Sequence, residues 1–418
     1  MNKKGLISLE NIYKAKVRLK NVAIKTPLMH NAFYSQKYQC QVYFKREDLQ
    51  VVRSYKIRGA YNKMASLTKK DLKNGIVCAS AGNHAQGVAF ACKALKIKGK
   101  IYMPSTTPKQ KINKVNSFGG SFVEIILTGD TFDDSYAEAL KDSKENKLTF
   151  IHPFNDEKVI EGQGTVGLEI LEDCEVSIDY FFVAIGGGGI ISGIGSYFKQ
   201  MSPNTKIIGV EPTGSPGMKT SLEAGAVVSL AQMDTFVDGA AVSRVGDINF
   251  NICKEVVDDI ILVPEGKVCT TILELYNEEA IVVEPAGALT LSALDFYAEE
   301  IKGKNIVCLI GGGNNDITRM EDIKERSLLH EGLKHYFIIK FPQRAGALRS
   351  FLNDVLGPDD DITHFEYSKK NNKNAGPALV GLELKRKTDY EGLIKRMEKY
   401  NIDYKTINDQ RMLFNFLV

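Results

Sequence analysis

From residue 76 onward the apolar positions fall into short runs separated by longer stretches of mixed character, and the two alternate. Ile76-Val77-Cys78-Ala79 predicts a strand, Gly82-Asn83-His84 a turn, and the stretch to Leu95 a helix. Lys100-Ile101-Tyr102-Met103 reads as a strand stopped by Pro104, with a helix from Pro108. Phe122 to Leu127 reads as another strand, and a helix begins near Thr131, a good cap with Asp133 and Asp134 placed to meet the positive end of the dipole. Strands alternating with helices predict a parallel sheet, here in an open α/β lobe over about residues 55–150. A second series repeats the architecture: a helix over 156–172, a strand at Tyr180 to Ile185, four glycines, a helix from Ile190, and strands at Lys206 to Val210 and Ile260 to Val263. Helices near 266–279 and 286–300 follow, then a strand at Asn305 to Ile310 that ends in Gly311-Gly312-Gly313-Asn314. Ahead of both lobes, Ile12, Ala15, Val17 and Leu19 mark a rough amphipathic helix over 9–20, which Thr26-Pro27 breaks. Val42-Tyr43-Phe44-Lys45 reads as a strand, and Arg46-Glu47-Asp48-Leu49 as an ion-paired corner rather than a catalytic set.

After Glu331 the texture changes. Lys334 to Phe341 alternates like a half-buried strand, Gln343 to Gly346 makes a loop, and Leu348 to Leu356 reads as a helix. Strands at Asp361 to Tyr367 and Ala378 to Leu384, a helix at Tyr390 to Tyr400 and a last strand at Arg411 to Val418 complete the order of a small ferredoxin-like α+β sandwich. No reactive group stands out in it, which fits a ligand-sensing or assembly module. The expected division is a catalytic part over 1–325 and a regulatory part over 332–418.

A length of 418 residues suits two or three domains, and 44% hydrophobic with 25% charged residues is ordinary globular composition. The net charge of +3 is small and its basic residues are interspersed with acids, so nucleic acid is not an expected partner. Seven cysteines without paired or metal-type spacing fit a reducing compartment. No stretch has the length and apolarity of a signal peptide or membrane span, and a cytoplasmic location is expected.

Candidate chemistry sits at the strand-to-helix turns. Lys56, in Ser54-Tyr55-Lys56-Ile57-Arg58-Gly59-Ala60, stands at the head of a helix, where an amine becomes a catalyst when partial burial favours its neutral form. A lysine at a helix start is far more often a solvated charge, so its company decides. Gly186-Gly187-Gly188-Gly189 lets backbone N–H groups approach an anion at a helix N-terminus, which suits one phosphate, although a tight connection alone explains such a turn equally well. Neither a dinucleotide fingerprint nor a P-loop is present in register. Ser80-Ala81-Gly82-Asn83-His84 offers a second anion cradle, suited to a carboxylate, with Asn83 able to hold a ring oxygen from the side; His84 reads as a structural, hydrogen-bonded histidine. An imine-forming lysine, one phosphate site and one carboxylate site together specify pyridoxal phosphate and an amino acid.

These motifs, together with Glu284-Pro285-Ala286-Gly287-Ala288 and Gly312-Gly313-Asn314, resemble those of the tryptophan synthase β family of pyridoxal phosphate enzymes, fold type II. Within it the chain is similar to the biosynthetic threonine deaminases of the short form. The similarity runs through Phe341-Pro342-Gln343-Arg344-Ala345-Gly346-Ala347-Leu348 and Asp361-Ile362-Thr363-His364-Phe365-Glu366-Tyr367, which look like that family's ACT-like domain. The resemblance implies that Lys56 holds the cofactor as an imine and serves as general base. It also implies that Asn83 contacts the ring oxygen and that Gly186 to Gly189 with Ile190 bind the phosphate. The expected reaction takes L-threonine, with L-serine a second possibility, to 2-oxobutyrate and ammonia for isoleucine synthesis, with isoleucine and valine as effectors of a homo-oligomer, a tetramer.

Two departures from the family pattern bear on this. The family places serine or cysteine at the position of Gly311, against the pyridine nitrogen, and glycine has nothing to offer there. Related serine racemases carry a serine where this chain has Ala81, so elimination is favoured over racemisation. Their acidic cation set is incomplete after Glu211, with Ser215 and Gly217 at the partner positions, and no required metal is expected. The alternatives are a catabolic serine and threonine dehydratase, a β-replacement enzyme, and an amino-acid-binding regulator of low activity marked by Gly311. Phe154 reads either as a wall of the substrate methyl pocket or as an ordinary core residue.

Overall fold

The computed structural model describes residues 5–367, 369, 374–410 and 414, and the chain divides into two compact units, Met1–Asp316 and Ile317–Val418. The first unit opens with α1 (Leu9–Leu19), β1 (Leu28–Asn31), α2 (Ala32–Tyr38), β2 (Gln41–Arg46) and α3 (Lys56–Ala65). The first alternating series is β3 (Ile76–Ala79), α4 (Asn83–Leu95), β4 (Gly99–Met103), α5 (Lys109–Gly119), β5 (Val123–Leu127), α6 (Phe132–Glu145) and β6 (Thr149–Phe150). The second is α7 (Glu157–Asp173), β7 (Tyr180–Ala184), α8 (Gly189–Met201), β8 (Lys206–Pro212), α9 (Gly217–Ala224), α10 (Asp247–Val256), β9 (Asp259–Val263), α11 (Glu265–Glu279), α12 (Pro285–Ser292) and β10 (Asn305–Ile310).

Two parallel sheets result, in the orders β5-β4-β3-β6 and β1-β2-β10-β7-β8-β9. Only β1 runs antiparallel, pairing Leu28 with Lys45 through Asn31 with Val42. Neither β1 nor the place of β2 beside β10 is visible in the local pattern. The helix expected over 286–300 is α12, which tightens into a 3-10 turn at Ala293–Tyr297. Thr131 does cap α6, in a reciprocal box with Asp134.

Helices α3, α7 and α8 meet almost backbone to backbone. A methyl on Gly162 of α7 would lie 2.4 Å from the Arg58 carbonyl oxygen of α3, and one on Gly193 of α8 would lie 2.6 Å from the Gly164 nitrogen of α7. Beneath that contact sits a sealed set of charges. Arg58 donates to both oxygens of Glu47 and both of Glu169, and Lys45 donates to Glu169. Arg46 makes its own paired bonds to Asp48, so the charged quartet is the ion-paired corner that its composition predicts.

The second unit holds α13 (Met320–Glu331), β11 (Lys334–Pro342), α14 (Ala347–Asp354), β12 (Asp361–Tyr367), β13 (Ala375–Glu383), α15 (Asp389–Lys399) and β14 (Tyr404–Thr406). Its antiparallel sheet has the order β12-β13-β11-β14, and both α14 and α15 supply side chains to one core with Phe337, Ile339 and Val380. The ferredoxin-like order is therefore present, with the three-residue β14 as its last described strand. The strand expected at Arg411 to Val418 lies outside the described residues apart from Phe414, which is helical.

Candidate functional site

Lys56 is the first residue of α3, held there by its neighbour: the Tyr55 N–H donates to the Gly311 carbonyl at 3.2 Å, tying the head of the helix to the loop after β10. The lysine amine donates to the Pro153 carbonyl at 3.2 Å and lies 5.4 Å from the centre of the Tyr55 ring. Burial pushes it down to about 8, against the opposing influence of the Glu284 carboxylate. A lysine lowered this far has a far larger neutral fraction near physiological pH than an exposed one, and the neutral form is what a nucleophile or base requires.

The residue after Pro153 reaches the glycine turn. A methyl on Gly187 would lie 2.3 Å from the Phe154 ring, and one on Gly189 would lie 2.5 Å from Gln163 Oε1, so only glycine fits beneath these side chains. Gly188 has φ of +92° and precedes α8, whose N-terminus has no side-chain cap. The leading N–H groups of that helix are therefore open to an anion. The turn Pro153-Phe154 thus touches both the lysine and the glycine cradle, and Phe154 is a lid on the cradle.

The Ser80 loop leaves β3 and enters α4, which also lacks a side-chain cap. The Gly82 N–H donates to the Ser80 hydroxyl at 3.2 Å, and a methyl on Gly82 would meet nothing within 4 Å, so the loop borders open space. Asn83 stands between two partners: its Nδ2 donates to Glu284 Oε1 at 2.6 Å, and its Oδ1 accepts from Asn314 Nδ2 at 2.7 Å. His84 is buried, bonded to the Ile151 carbonyl at 2.9 Å, and pushed down to about 3 by burial and by the Lys56 charge. It is a neutral structural donor. At Gly311 a methyl would meet only the edge of the Tyr55 ring, at 3.4 and 3.5 Å.

Three polar residues at this site carry no role in the sequence reading. Glu284, in the sequence only one member of the Glu284 to Ala288 motif, is buried at the cap of α12. Gln163 is buried with neither amide atom bonded, beside Gly189. His152, pushed down to about 4 by burial, accepts the N–H groups of Phe154 and Asn155 and so shapes the lid. A lone polar residue in a helix or turn gives no local sign of its partners. Elsewhere, Glu211 accepts the Met218 and Lys219 N–H groups at the start of α9, and among the described residues no cluster of three or more His, Cys, Asp or Glu is placed to hold a metal. The seven cysteines are free thiols, and no helix among the described residues is long and apolar enough to cross a membrane.

A buried amine, an uncapped glycine turn covered by an aromatic ring, an orphaned amide beside that turn and a second uncapped helix make a set that fits pyridoxal phosphate. Residues 19–312 match the family model of pyridoxal-phosphate dependent enzymes, and residues 325–417 match that of the C-terminal regulatory domain of threonine dehydratase. A biosynthetic L-threonine dehydratase of Halalkalibacterium halodurans is 59% identical over 99% of this chain and 100% of its own, and one of Bacillus subtilis is 57% identical over 100% and 99%. Among solved structures, the processed form of threonine deaminase isoform 2 from Solanum lycopersicum superposes with a TM-score of 0.73 at 40% identity, over 77% of this chain and 90% of that one. Maize serine racemase superposes with a TM-score of 0.71 at 30% identity, over 77% and 98%.

Proposed function

We propose that this chain, which belongs to the pyridoxal-phosphate-dependent enzymes and carries the C-terminal regulatory domain of threonine dehydratase, converts L-threonine to 2-oxobutyrate and ammonia as the first step of isoleucine biosynthesis. The observation that carries this reading is that one chain matches full-length biosynthetic threonine dehydratases from end to end while keeping the buried Lys56 and the uncapped glycine turn.

In this reading Gly186, Gly187, Gly188, Gly189 and Ile190 would hold the cofactor phosphate, and Asn83 its ring oxygen. The bound cofactor supplies the electron sink for the charge left when the α-proton departs. Lys56 Nζ, neutral in part because it is buried, takes that proton and can return it to the departing β-hydroxyl. Ser80 and the main chain of Ala81, Gly82, Asn83 and His84 bind the substrate carboxylate at the uncapped start of α4. Ala81 has no proton to exchange, so nothing at that position restores the α-proton, and elimination prevails over racemisation.

The regulatory unit is the proposed receptor for isoleucine and valine. It offers an open groove of about 470 Å³ lined by Ile338, Pro377 and the ion pair of Lys340 with Asp403, whose charges an amino-acid zwitterion would have to part. An effector that inhibits must bind a less active state more tightly than the active one. A cytoplasmic homotetramer completes the proposal.

The test is 2-oxobutyrate formation by purified protein loaded with pyridoxal phosphate, with threonine against serine and with isoleucine titrated in. Turnover of threonine that falls with isoleucine is the expected result. Gly311, without a side chain for the ring nitrogen, favours one other reading, a regulator that binds amino acids without turnover. Isoleucine binding with no product from threonine would replace the enzyme reading by that one.

A further inference from the structure

Asn83 is one member of a chain of side chains whose ends lie on different elements. Asn314, in the loop after β10, spends one Nδ2 hydrogen on the Val52 carbonyl at 2.9 Å and the other on Asn83 Oδ1 at 2.7 Å, while its own Oδ1 accepts from Lys114 Nζ of α5 at 3.2 Å. Its carboxamide is thereby fully committed. On the other side Glu284 Oε1 accepts from Asn83 Nδ2 at 2.6 Å. Asn83 thus has an acceptor facing its nitrogen and a donor facing its oxygen. Turning the amide over would set oxygen against carboxylate and nitrogen against nitrogen, leaving both contacts repulsive and their groups unsatisfied. One of the two Nδ2 hydrogens is consumed by Glu284; the other remains.

Resting on the cofactor reading above, we propose that Glu284 and Asn314 are positioning residues that lock the Asn83 carboxamide in one orientation, so that its second N–H is presented to the ring oxygen of pyridoxal phosphate. Lys114 acts one step further out, by holding Asn314. The lock is also electrically adjustable. Burial raises Glu284 to about 7, Asp238 adds to the rise, and the Asn83 and Asn314 N–H groups and the Lys111 charge oppose it; Lys56 and Lys114 are the remaining cations that feel it. As a carboxylate, Glu284 polarises the Asn83 amide and makes the second N–H a stronger donor. As a neutral acid it does so less.

The experiment follows the visible absorbance of the protein loaded with pyridoxal phosphate between pH 5.5 and 9, in wild type, Glu284→Gln and Asn314→Asp, beside the affinity of each apoprotein for the cofactor and the thermal midpoint. Wild type is expected to show a change in band position or ratio centred near pH 7, which Glu284→Gln lacks. Asn314→Asp replaces the donor facing Asn83 Oδ1 by an acceptor, so that neither orientation of the amide satisfies both neighbours, and is expected to shift the band at every pH and weaken cofactor binding about tenfold. For both variants kcat with threonine should fall while KM stays within about twofold. Variants that lower only the thermal midpoint, with wild-type spectra and cofactor affinity, would reduce the lock to a structural contact and overturn the proposal. A wild-type protein that forms no visible band at all would instead overturn the cofactor reading. Should Glu284→Gln fail to fold, Asn314→Asp decides the question from the other end.

Discussion

Replacing Arg58 by methionine removes one member of a set of four charges that have almost no contact with solvent. The Arg58 and Lys45 side chains are 1% and 0% exposed, and those of Glu47 and Glu169 are 0% and 10% exposed. Two cations and two anions balance. Arg58 makes bonds of 2.8 Å to each Glu47 oxygen and of 2.7 and 2.8 Å to those of Glu169. Methionine fills most of the volume and leaves two carboxylates facing Lys45 alone. Breaking a buried pair by removing one partner costs about 3–5 kcal/mol, because the remaining charge stays buried without compensation. For a unit of this size that corresponds to a fall in thermal midpoint of roughly 5–10 °C. The decisive comparison adds Glu47→Gln to Arg58→Met, which restores neutrality with Glu169 and Lys45, and the double variant should recover at least half of the loss. Circular dichroism melts of the apoprotein at a fixed scan rate provide the assay. The pH dependence has a definite sign. Burial raises Glu47, but the charge and hydrogen bonds of Arg58 and the charge of Lys45 bring it below its ordinary value. Its contribution to stability is therefore present above the unfolded carboxyl value of about 4.3 and is lost as pH falls through the lower folded value. The gap between wild type and Arg58→Met should accordingly be wide at pH 7 and narrow only as pH falls below about 4.3. A double variant that loses the sum of the two single losses, or an Arg58→Met protein that melts within about 1 °C of wild type, would refute the reasoning.

The rate at which apoprotein takes up pyridoxal phosphate should rise with pH and level off above about 8, because the neutral Lys56 amine attacks the aldehyde; stopped-flow absorbance measures this. Gly311→Ser should fold normally, since its added carbon meets only the Tyr55 edge at ordinary contact distance, and should raise threonine turnover by supplying a ring-nitrogen partner, measured as kcat beside an unchanged thermal midpoint. Gly162→Ala pushes a methyl to 2.4 Å from the Arg58 carbonyl and should cost about 1–3 kcal/mol in stability, with a measurable loss of cofactor affinity in fluorescence titration.

The alternation of strands and helices was legible because each buried parallel strand is a short apolar run bounded by turn residues, as at Ile76 to Ala79 and Asn305 to Ile310. Partnership was not. Nothing local in Gln41–Arg46 announces that it pairs with Asn305–Ile310, and Leu28–Asn31 is too short and too exposed to register as a strand. The tail shows the same limit: Tyr404–Thr406 takes an edge position on the strength of three residues paired to β11. At the site, Lys56 and the glycine turn could be picked out because each sits where a strand hands over to a helix. The His84 ring, read from the sequence as structural and hydrogen-bonded, is committed to the Ile151 carbonyl. Glu284, Gln163 and His152 escaped because what makes them matter is a neighbour from a distant part of the chain, and burial that no window of sequence contains.

The near-contact of α3, α7 and α8 has a consequence for how this fold can change over time. Lys56 heads α3 and the glycine turn heads α8, so the span between the two ends of the proposed cofactor site is gauged by main chain resting on main chain at Gly162 and Gly193, with α7 as the spacer. Side chains lining the cavity can then be exchanged for new substrates without altering that gauge. At these two glycines the freedom disappears: a single added carbon alters the gauge itself, and every substrate served by the scaffold would be affected together.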